Sequence, residues 1–378
     1  MHIGHLRNNI TGMALVRLVK ACCGEVVSEA IDNDRGIAIA KLMWGYLKFA
    51  RKDGKHNTDV SYWVDHGDEW QTPQDRDMRP DRFVDELYVL GSGDYDEHEE
   101  SAQHVRDMVV AWEARNEDIW KLWETVLEYS HAGQQMTLAR LGSYWDHVWH
   151  EHEHYQQGKE CVEQGLRDGV FKKLDDGAIL TNLESYGISD TIVQKSDGTA
   201  LYITQDIALT KLKKDAYPNA EKLIWIIGPE QSLAMQQMFA VCEQLGIGSR
   251  DEFLHLAYGY MTIRCGGKMS SRKGTVLYID EVIDATHEQA LAVLADRDIA
   301  DKEDVAEQVA LGAIIYSILR SSRNRDIAFD VVESTRLEGD SGPYLQYAHT
   351  RALSVLEKAN NEGVSTDTKI STYEVDLL

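Results

Sequence analysis

The chain has 378 residues, and its content of 43% hydrophobic and 27% charged residues is typical of a soluble globular protein too long for one ordinary domain. Its 39 Lys and Arg against 63 Asp and Glu give a net charge of −24, which excludes a surface that is basic throughout but not a local contact with nucleic acid. The five cysteines form no C-x-x-C pair, so we expect no disulfide framework and a reducing, cytoplasmic compartment. No apolar run has the length of a membrane span, so no membrane partner is predicted.

The beginning of the chain carries a helix followed by a strand. Apolar residues at helical spacing predict a helix over residues 6–21, and a short apolar strand candidate follows at 26–31. Helix, turn and strand in this order predict a parallel α/β sheet. Pro73 and Pro80 predict irregular chain, and Gly91-Ser92-Gly93 predicts a linker-like break.

The middle of the chain changes from α/β to helical character and back. Apolar stripes predict helices between residues 99 and 142, and the tryptophans concentrated between 112 and 149 are interpreted as packing anchors. Alternating signals then predict strands at 191–195, 199–203 and 223–227, a hairpin turn at Asp197-Gly198, and helices at about 205–214 and 230–245. After residue 285 the pattern is mainly helical. The sequence therefore predicts an α/β protein whose parallel sheet is split by a helical insertion.

The motif His2-Ile3-Gly4-His5 opens the first predicted helix. The backbone N–H groups and the positive dipole end of a helix start suit an anion, and Gly4 leaves room for an adenine ring or a phosphate against the backbone. His2 and His5 can donate hydrogen bonds to a phosphate whose charge grows in a transition state. For these four residues taken alone, two surface histidines at this spacing by chance are the alternative.

A second motif, GKMSSRKG at residues 267–274, lies between strand candidates at 260–264 and 275–279. Its glycines and serines predict a mobile loop, and its cations Lys268, Arg272 and Lys273 suit a phosphate clamp. A solvated basic turn is the alternative. The combination with a His-x-Gly-His helix start favours a nucleotide site.

Together the two motifs resemble the HIGH and KMSKS signatures of class I aminoacyl-tRNA synthetases. The resemblance implies a split Rossmann fold that binds ATP between the signatures, with His2, His5 and Lys268 in catalysis. It implies that ATP contacts His2, Gly4, His5, Lys268, Met269, Ser270, Ser271, Arg272 and Lys273. The loop departs from the family at Ser271 and Arg272, because the fourth position is usually a lysine that contacts phosphate. Lys268, Arg272 or Lys273 must then share that role.

Several segments resemble arginyl-tRNA synthetases in particular, namely residues 5–9, 33–36, 196–199, 202–208 and 342–348. The resemblance assigns arginine binding to Tyr202, Asp206 and Gln231. The residue types agree, because Tyr202 and Asp206 are four apart at a predicted helix start and a guanidinium pairs with a carboxylate beside a planar or hydroxyl group. A helix-capping role is the alternative for Asp206.

The family also implies a domain order. The first half of the Rossmann catalytic domain is expected at residues 1–93, a helical connective insertion at 94–187, the second half at 188–265, the signature loop with connecting helices at 266–335, and the start of an anticodon-binding helical domain at 336–378. Only Met1 precedes the first motif. We therefore expect a chain cut short at both ends, with ATP affinity, poor arginine activation and little tRNA charging.

The implied reaction is ATP-dependent activation of L-arginine and its transfer to tRNA(Arg), with Mg²⁺ accompanying ATP. The resemblance further implies that activation needs tRNA, and we expect a cytoplasmic monomer. Three rivals are a small nucleotidyltransferase, a non-catalytic nucleotide-binding or tRNA-associated remnant, and a synthetase core for another amino acid.

Two further clusters carry charge without a clear assignment. His147, His150, His152 and His154 alternate with acidic residues, but alternate residues in neither helical nor strand register make a poor ligand cage, so we expect a solvated polar segment and predict no metal-binding residue. Arg320, Arg323 and Arg325 form a basic cluster, for which a tRNA contact and a chance arrangement on a helix surface both stay open.

Overall fold

The computed structural model describes residues 1–196, 201–264 and 277–363. Within these ranges the α-helices are α1 (Ile3–Ala21), α2 (Ile37–Phe49), α3 (Val60–Asp65), α4 (Pro80–Glu97), α5 (Glu99–Glu113), α6 (Glu117–Arg140), α7 (Glu151–Arg167), α8 (Tyr202–Ala216), α9 (Ser232–Gln244), α10 (Ile279–Val293), α11 (Lys302–Leu319), α12 (Val331–Ser334) and α13 (Gly342–Asn361). The strands are β1 (Glu29–Asp32), β2 (His147–His150), β3 (Lys172–Lys173), β4 (Ile179–Leu180), β5 (Ile192–Gln194), β6 (Leu223–Trp225), β7 (Phe253–His255), β8 (Met261–Ile263) and β9 (Ile327–Phe329).

The parallel strand pairs join segments that are distant in sequence. Strand β1 pairs with β2, with Asp32 opposite His150, while β6 pairs with β7 and β8 pairs with β9. A parallel ladder requires a crossover connection, and helices α2 to α6 lie between β1 and β2 in the chain. Strands β3, β4 and β5 form a separate antiparallel sheet. The predicted α/β fold with parallel strands interrupted by helices is confirmed.

The chain forms two compact units. The first contains Met1 and Gly12–Ala257, and the second contains His2–Thr11 and the residues from 258 onward. Helix α1 therefore begins in the second unit and continues into the first. The five-part division expected from the family stays a prediction.

The helices of the first unit pack around a core rich in aromatic residues. Trp112 and Trp123 are buried there with Trp44, Trp63 and Trp70. The rings of Trp112 and Trp120 stack with their centroids 5.0 Å apart. The interpretation of Trp112 and Trp123 as packing anchors is confirmed, because each contributes a large apolar area to one shared core.

The predicted break at Gly91-Ser92-Gly93 is wrong, because these residues lie inside helix α4. Pro80, predicted to mark irregular chain, occupies the first turn of this helix, where its missing N–H group removes no helical hydrogen bond. A Cβ atom on Gly91 would overlap the carbonyl oxygen of Lys41 in α2. The glycine therefore serves a close crossing of two helices rather than a bend.

Two predicted strands are partly wrong because helices begin inside them. Helix α8 begins at Tyr202, within the strand expected at 199–203, and helix α10 begins at Ile279, the last residue of the strand expected at 275–279. The turn at Asp197-Gly198 lies outside the described residues. The strand expected at 26–31 begins later, at Glu29.

Helices α7 and α8 pack side by side in the first unit. A Cβ atom on Gly158 of α7 would lie 3.2 Å from the Gln205 side chain of α8, so the glycine permits a close approach. Gln205 also donates from Nε2 to the Tyr155 carbonyl oxygen at 3.3 Å. This contact places the second turn of α7 near the first turn of α8.

The second unit is built from the β8–β9 pair and from helices α10, α11 and α13. Ala290 of α10 and Leu294, which caps the end of this helix, pack against Ala306 and Ala310 of α11 in a small apolar core. Among the described helices of both units, none is long and apolar enough to cross a membrane.

Candidate active site

The two histidines of the first motif are held by hydrogen bonds to the start of helix α1. The backbone N–H of Gly4 donates to His2 Nδ1 at 3.1 Å, and the backbone N–H of His2 donates to His5 Nδ1 at 3.2 Å. An imidazole nitrogen that accepts a hydrogen bond carries no proton, so both rings are held in the tautomer with hydrogen on Nε2. Each imidazole is thus a neutral donor through Nε2.

The neutral form of His5 is further favoured by its surroundings. Desolvation of the ring, followed by unfavourable electrostatic interactions with the His2 ring and with the N-terminal ammonium, lowers the pKa of His5 to about 4. The two ring centroids are 3.9 Å apart. At neutral pH His5 is therefore uncharged and donates a hydrogen bond as a dipole rather than as a cation.

Gly4 is needed by the motif itself. A Cβ atom at this position would lie 2.8 Å from Cε1 of the His2 ring, which is closer than real Cβ contacts. Any side chain at residue 4 would therefore push His2 away from its hydrogen bond to the backbone. Contact with the His2 ring is therefore one reason for a glycine at residue 4. The other reason, the approach of a nucleotide to the backbone, stays a prediction.

The start of α1 is joined to the chain that follows the second motif. Ile3 N–H donates to the Leu277 carbonyl oxygen at 2.9 Å, and His2 forms an antiparallel bridge with Tyr278. Lys268, Met269, Ser270, Ser271, Arg272 and Lys273 lie outside the described residues. The described chain resumes at Leu277, where it contacts the first motif within the second unit.

Arg7 anchors this arrangement, a role that the sequence analysis missed. Its guanidinium is buried and donates to the carbonyl oxygens of Gly259 at 2.6 Å, Tyr260 at 3.1 Å and Arg323 at 3.0 Å. Five donors in a rigid plane allow one arginine to bind several carbonyls at once. A buried arginine could not have been inferred from sequence, because its partners are more than 250 residues away.

The residues predicted to bind arginine lie in the first unit, and two of them share helix α8. Tyr202 is the first residue of α8 and is 83% exposed, and Asp206 follows one turn later. The helix is capped by Leu201 without a side-chain hydrogen bond, so the capping alternative for Asp206 is wrong. Gln231 ends the 3₁₀ turn Pro229–Gln231 and is exposed.

Asp206 is a partly buried carboxylate on helix α8. Desolvation raises its pKa to about 6, a shift that the charge of Lys213 opposes in part. Lys213 itself forms an ion pair with Glu29 at 2.9 Å. Within the part of the chain that the structure describes, the Asp206 side chain forms no ion pair, so a cationic ligand would remove the cost of its charge.

Glu151 is a second acidic residue of this region that the sequence analysis did not single out. It is the first residue of α7, and desolvation raises its pKa, an effect opposed by Arg35 and reinforced by Asp34 and Asp206. Arg35 lies 3.6 Å from Glu151 but is also bound to Glu113 at 2.7 Å. The only sequence signal for Glu151 was its position in a polar segment that we expected to be solvated.

The expectation that the histidine segment is solvated is only partly right, because His147 is exposed whereas His154 is buried. His147 and His150 lie in the ordered strand β2, and His152 and His154 lie in helix α7, where His154 is buried. The alternating histidines and acidic residues predict a solvated segment in neither helical nor strand register, whereas they form a strand followed directly by a helix. The side chains of His150 and His152 approach the Asp34 carboxylate.

Two residues of the basic cluster Arg320, Arg323 and Arg325 contact other parts of the chain. Arg320 pairs with Asp340 at 2.9 Å, and the Arg323 carbonyl oxygen accepts from Arg7. A contact of this cluster with tRNA stays a prediction.

The comparisons with known proteins agree with the predicted family. The family model described as "tRNA synthetases class I (R), catalytic domain" matches residues 68–331. Curated arginine–tRNA ligases of Treponema pallidum and Treponema denticola are 34% and 33% identical over 96% and 95% of this chain, and these matches cover 59% and 58% of their own lengths. The chain therefore spans slightly less than three-fifths of the length of these relatives.

Solved structures support the fold. The arginyl-tRNA synthetase of Thermus thermophilus has a TM-score of 0.73 at 23% identity, over 95% of this chain and 62% of that chain. The enzyme from Plasmodium falciparum has a TM-score of 0.78 at 19% identity, over 100% of this chain and 60% of that chain. The family match spans most of the chain, including the GKMSSRKG motif, and the chain therefore belongs to the class I tRNA synthetases of the arginine type, within their catalytic domain.

Proposed function

We propose that the chain carries the site for ATP-dependent activation of L-arginine and for transfer of the arginyl group to tRNA(Arg). The observation that supports this most directly is Asp206, a desolvated carboxylate on α8 that forms no ion pair with any described residue, in a chain of this family. Such a group binds a cationic side chain well and a neutral one poorly.

The arginine pocket is proposed to lie between the first turns of α7 and α8. Asp206 would pair with the guanidinium, Tyr202 would offer a planar ring and a hydroxyl, and Gln231 would contact the substrate nearby. Glu151 adds a second desolvated carboxylate that interacts electrostatically with Asp206. A guanidinium can serve two carboxylates because it has five donors in one plane.

ATP is proposed to bind at the start of α1. His2 and His5 would donate from Nε2 to the α-phosphate, Gly4 would face the nucleotide, and the loop from Lys268 to Lys273 would hold the leaving pyrophosphate. Neutral imidazole donors fit this role, because they stabilise growing negative charge without a strong salt bridge to the ground state. Mg²⁺ is expected to arrive bound to the phosphates of ATP.

The reaction has two steps. A carboxylate oxygen of arginine attacks the α-phosphorus of ATP, the bond from that phosphorus to the bridging oxygen breaks, and pyrophosphate leaves. A ribose hydroxyl at the end of tRNA then attacks the activated carbonyl carbon, loses its proton, and displaces AMP. The protein contributes position and electrostatic stabilisation. We place this activity in the cytoplasm and expect a monomer.

The test begins with binding. Calorimetry should show that L-arginine binds more tightly than L-citrulline, its neutral analogue, by roughly 10–100-fold, which corresponds to one or two charge-assisted hydrogen bonds. Equal affinity for the two ligands would contradict a carboxylate pocket for arginine.

Exchange of pyrophosphate into ATP then separates the candidate functions. Exchange that depends on arginine, with tRNA increasing it, supports the proposal. Exchange that does not depend on any amino acid indicates a nucleotidyltransferase. Exchange that depends on an amino acid other than arginine indicates a synthetase of different specificity. ATP binding without any exchange indicates a non-catalytic protein.

A further inference from the structure

The carboxyl ends of strands β1 and β2 bring acidic and histidine side chains together. Asp32 ends β1 and is the register partner of His150, which ends β2. Asp34 follows β1, and His152 lies in the first turn of α7 directly after β2. Ligands of α/β proteins bind beyond the carboxyl ends of parallel strands, so this edge is a favourable position for a site.

The potential ligand atoms lie close together. Oxygen and nitrogen atoms from Asp34, His150 and His152 all lie within 4.8 Å of one another. His152 Nδ1 lies 2.5 Å and His150 Nδ1 lies 3.4 Å from Asp34 Oδ2. Zinc bonds of about 2.0–2.1 Å in a tetrahedron separate the ligand atoms by about 3.3 Å, so small side-chain rotations suffice.

A fourth ligand is available from β1. Asp32 Oδ2 lies 3.2 Å from His150 Nδ1 and 2.7 Å from His131 Nε2. Two carboxylates balance the charge of a divalent cation, and they also offset the unfavourable positive dipole end of α7. His131 would orient Asp32 by a hydrogen bond, as outer residues commonly do around metal ligands.

The side chain of His150 lies between two carboxylates. His150 Nδ1 is a buried atom with Asp32 Oδ2 at 3.2 Å and Asp34 Oδ2 at 3.4 Å. Asp34 Oδ1 accepts from the backbone N–H of His152 at 2.9 Å, which fixes the carboxylate while Oδ2 faces both imidazoles. The imidazole nitrogens and carboxylate oxygens of this group thus face one another at spacings close to those of ligand atoms around one metal ion.

We propose that Asp34, His150 and His152, with Asp32 as the fourth ligand, bind one divalent transition-metal ion of the zinc class. Imidazole nitrogen favours zinc and its neighbours over Mg²⁺ and Ca²⁺, which take oxygen ligands. The ion links the loop after β1 to the start of α7. Its role is structural, because protein side chains fill all four tetrahedral positions.

The test uses the untagged chain, stripped with EDTA and dialysed. Zn²⁺ is titrated in competition with a chromophoric chelator, and Co²⁺ is added separately to record its visible absorption. We expect one Zn²⁺ per chain, the strong absorption of tetrahedral Co²⁺, and no competition from millimolar Mg²⁺. Loss of one ligand in His150→Gln or His152→Gln should lower the affinity at least by the ~10–100-fold typical of losing an outer-shell partner.

His147→Gln is the matched control, because His147 begins the same strand but is exposed and outside the group. Its affinity for Zn²⁺ should equal that of the unmodified chain. Circular dichroism checks that each variant is folded. If a variant is not folded, the position of the ion is determined instead by anomalous scattering at the zinc edge from crystals of the unmodified chain. No saturable Zn²⁺ binding, equal affinity in the His150 and His152 variants, or an anomalous peak elsewhere would overturn the proposal.

Discussion

Asp206 concentrates the proposed arginine specificity in one residue. Asp206→Asn keeps the size of the side chain but removes its charge, so the guanidinium loses a charge-assisted pair. We expect arginine affinity to fall roughly 10–100-fold while ATP affinity is unchanged, as measured by calorimetry. Asp215→Asn is the control, because Asp215 is an exposed carboxylate of the same helix. Equal losses for arginine and ATP would mean that Asp206 has a structural role.

His5 makes a different kind of contribution, since its pKa of about 4 leaves it neutral at physiological pH. His5→Ala removes one donor to the α-phosphate, and loss of such a donor typically lowers a rate on the order of 10²–10³-fold. The measurement is arginine-dependent exchange of pyrophosphate into ATP. His349→Ala, which removes an exposed histidine of α13, should leave the rate unchanged. An unaltered rate in the His5 variant would remove this residue from the mechanism.

At the scale of single elements, the sequence predicts what is local and misses what depends on distant chain. The start of α1 was predictable because its donors and acceptors lie within three residues of one another. Glu151 was missed because its effect depends on Asp206 of another helix, and the histidine segment was misread because Asp34 is 118 residues away from His152. The spacing of apolar residues shows which face of a helix or strand is buried, but it does not show which other element packs against that face.

Helix α4 allows a direct test of this distinction. Gly→Ala inside a helix normally stabilises by up to about 1 kcal/mol, but at Gly91 the new Cβ would overlap the backbone of α2. Gly91→Ala should therefore destabilise by about 1–3 kcal/mol. Gly93→Ala is the control in the same helix, because a Cβ there meets nothing within 4 Å, and it should stabilise.

Denaturant unfolding followed by circular dichroism measures both changes. Opposite signs for the two variants would establish Gly91 as a helix-crossing residue. Stabilisation by both alanines would instead mean that helices α2 and α4 can move apart to accommodate a Cβ atom at residue 91. In that case helix propensity alone would explain why the break predicted at 91–93 does not form.

At the scale of the whole molecule, the net charge of −24 means that carboxylates dominate its response to pH. The effect of Asp206 on the pH dependence of stability is opposite to that of a carboxylate in an ion pair, because its folded-state pKa of about 6 lies above the ordinary value of 3.8. The folded chain binds more protons than the unfolded chain between these values, so acidification through pH 6 stabilises the fold. The stabilisation is complete below about pH 3.8 and is lost as the pH rises through 6.

This linkage predicts a trade-off between stability and function. At pH 7.5 the charged Asp206 costs the ligand-free fold up to about 3 kcal/mol, because each pKa unit corresponds to 1.36 kcal/mol. Asp206→Asn should therefore unfold at higher denaturant concentration than the unmodified chain at pH 7.5, and the difference should shrink as the pH falls from 7 toward 4. Saturating arginine should reverse the order, because only the carboxylate gains from the guanidinium. A difference that does not vary with pH would show that the gain comes from packing and not from the removed charge.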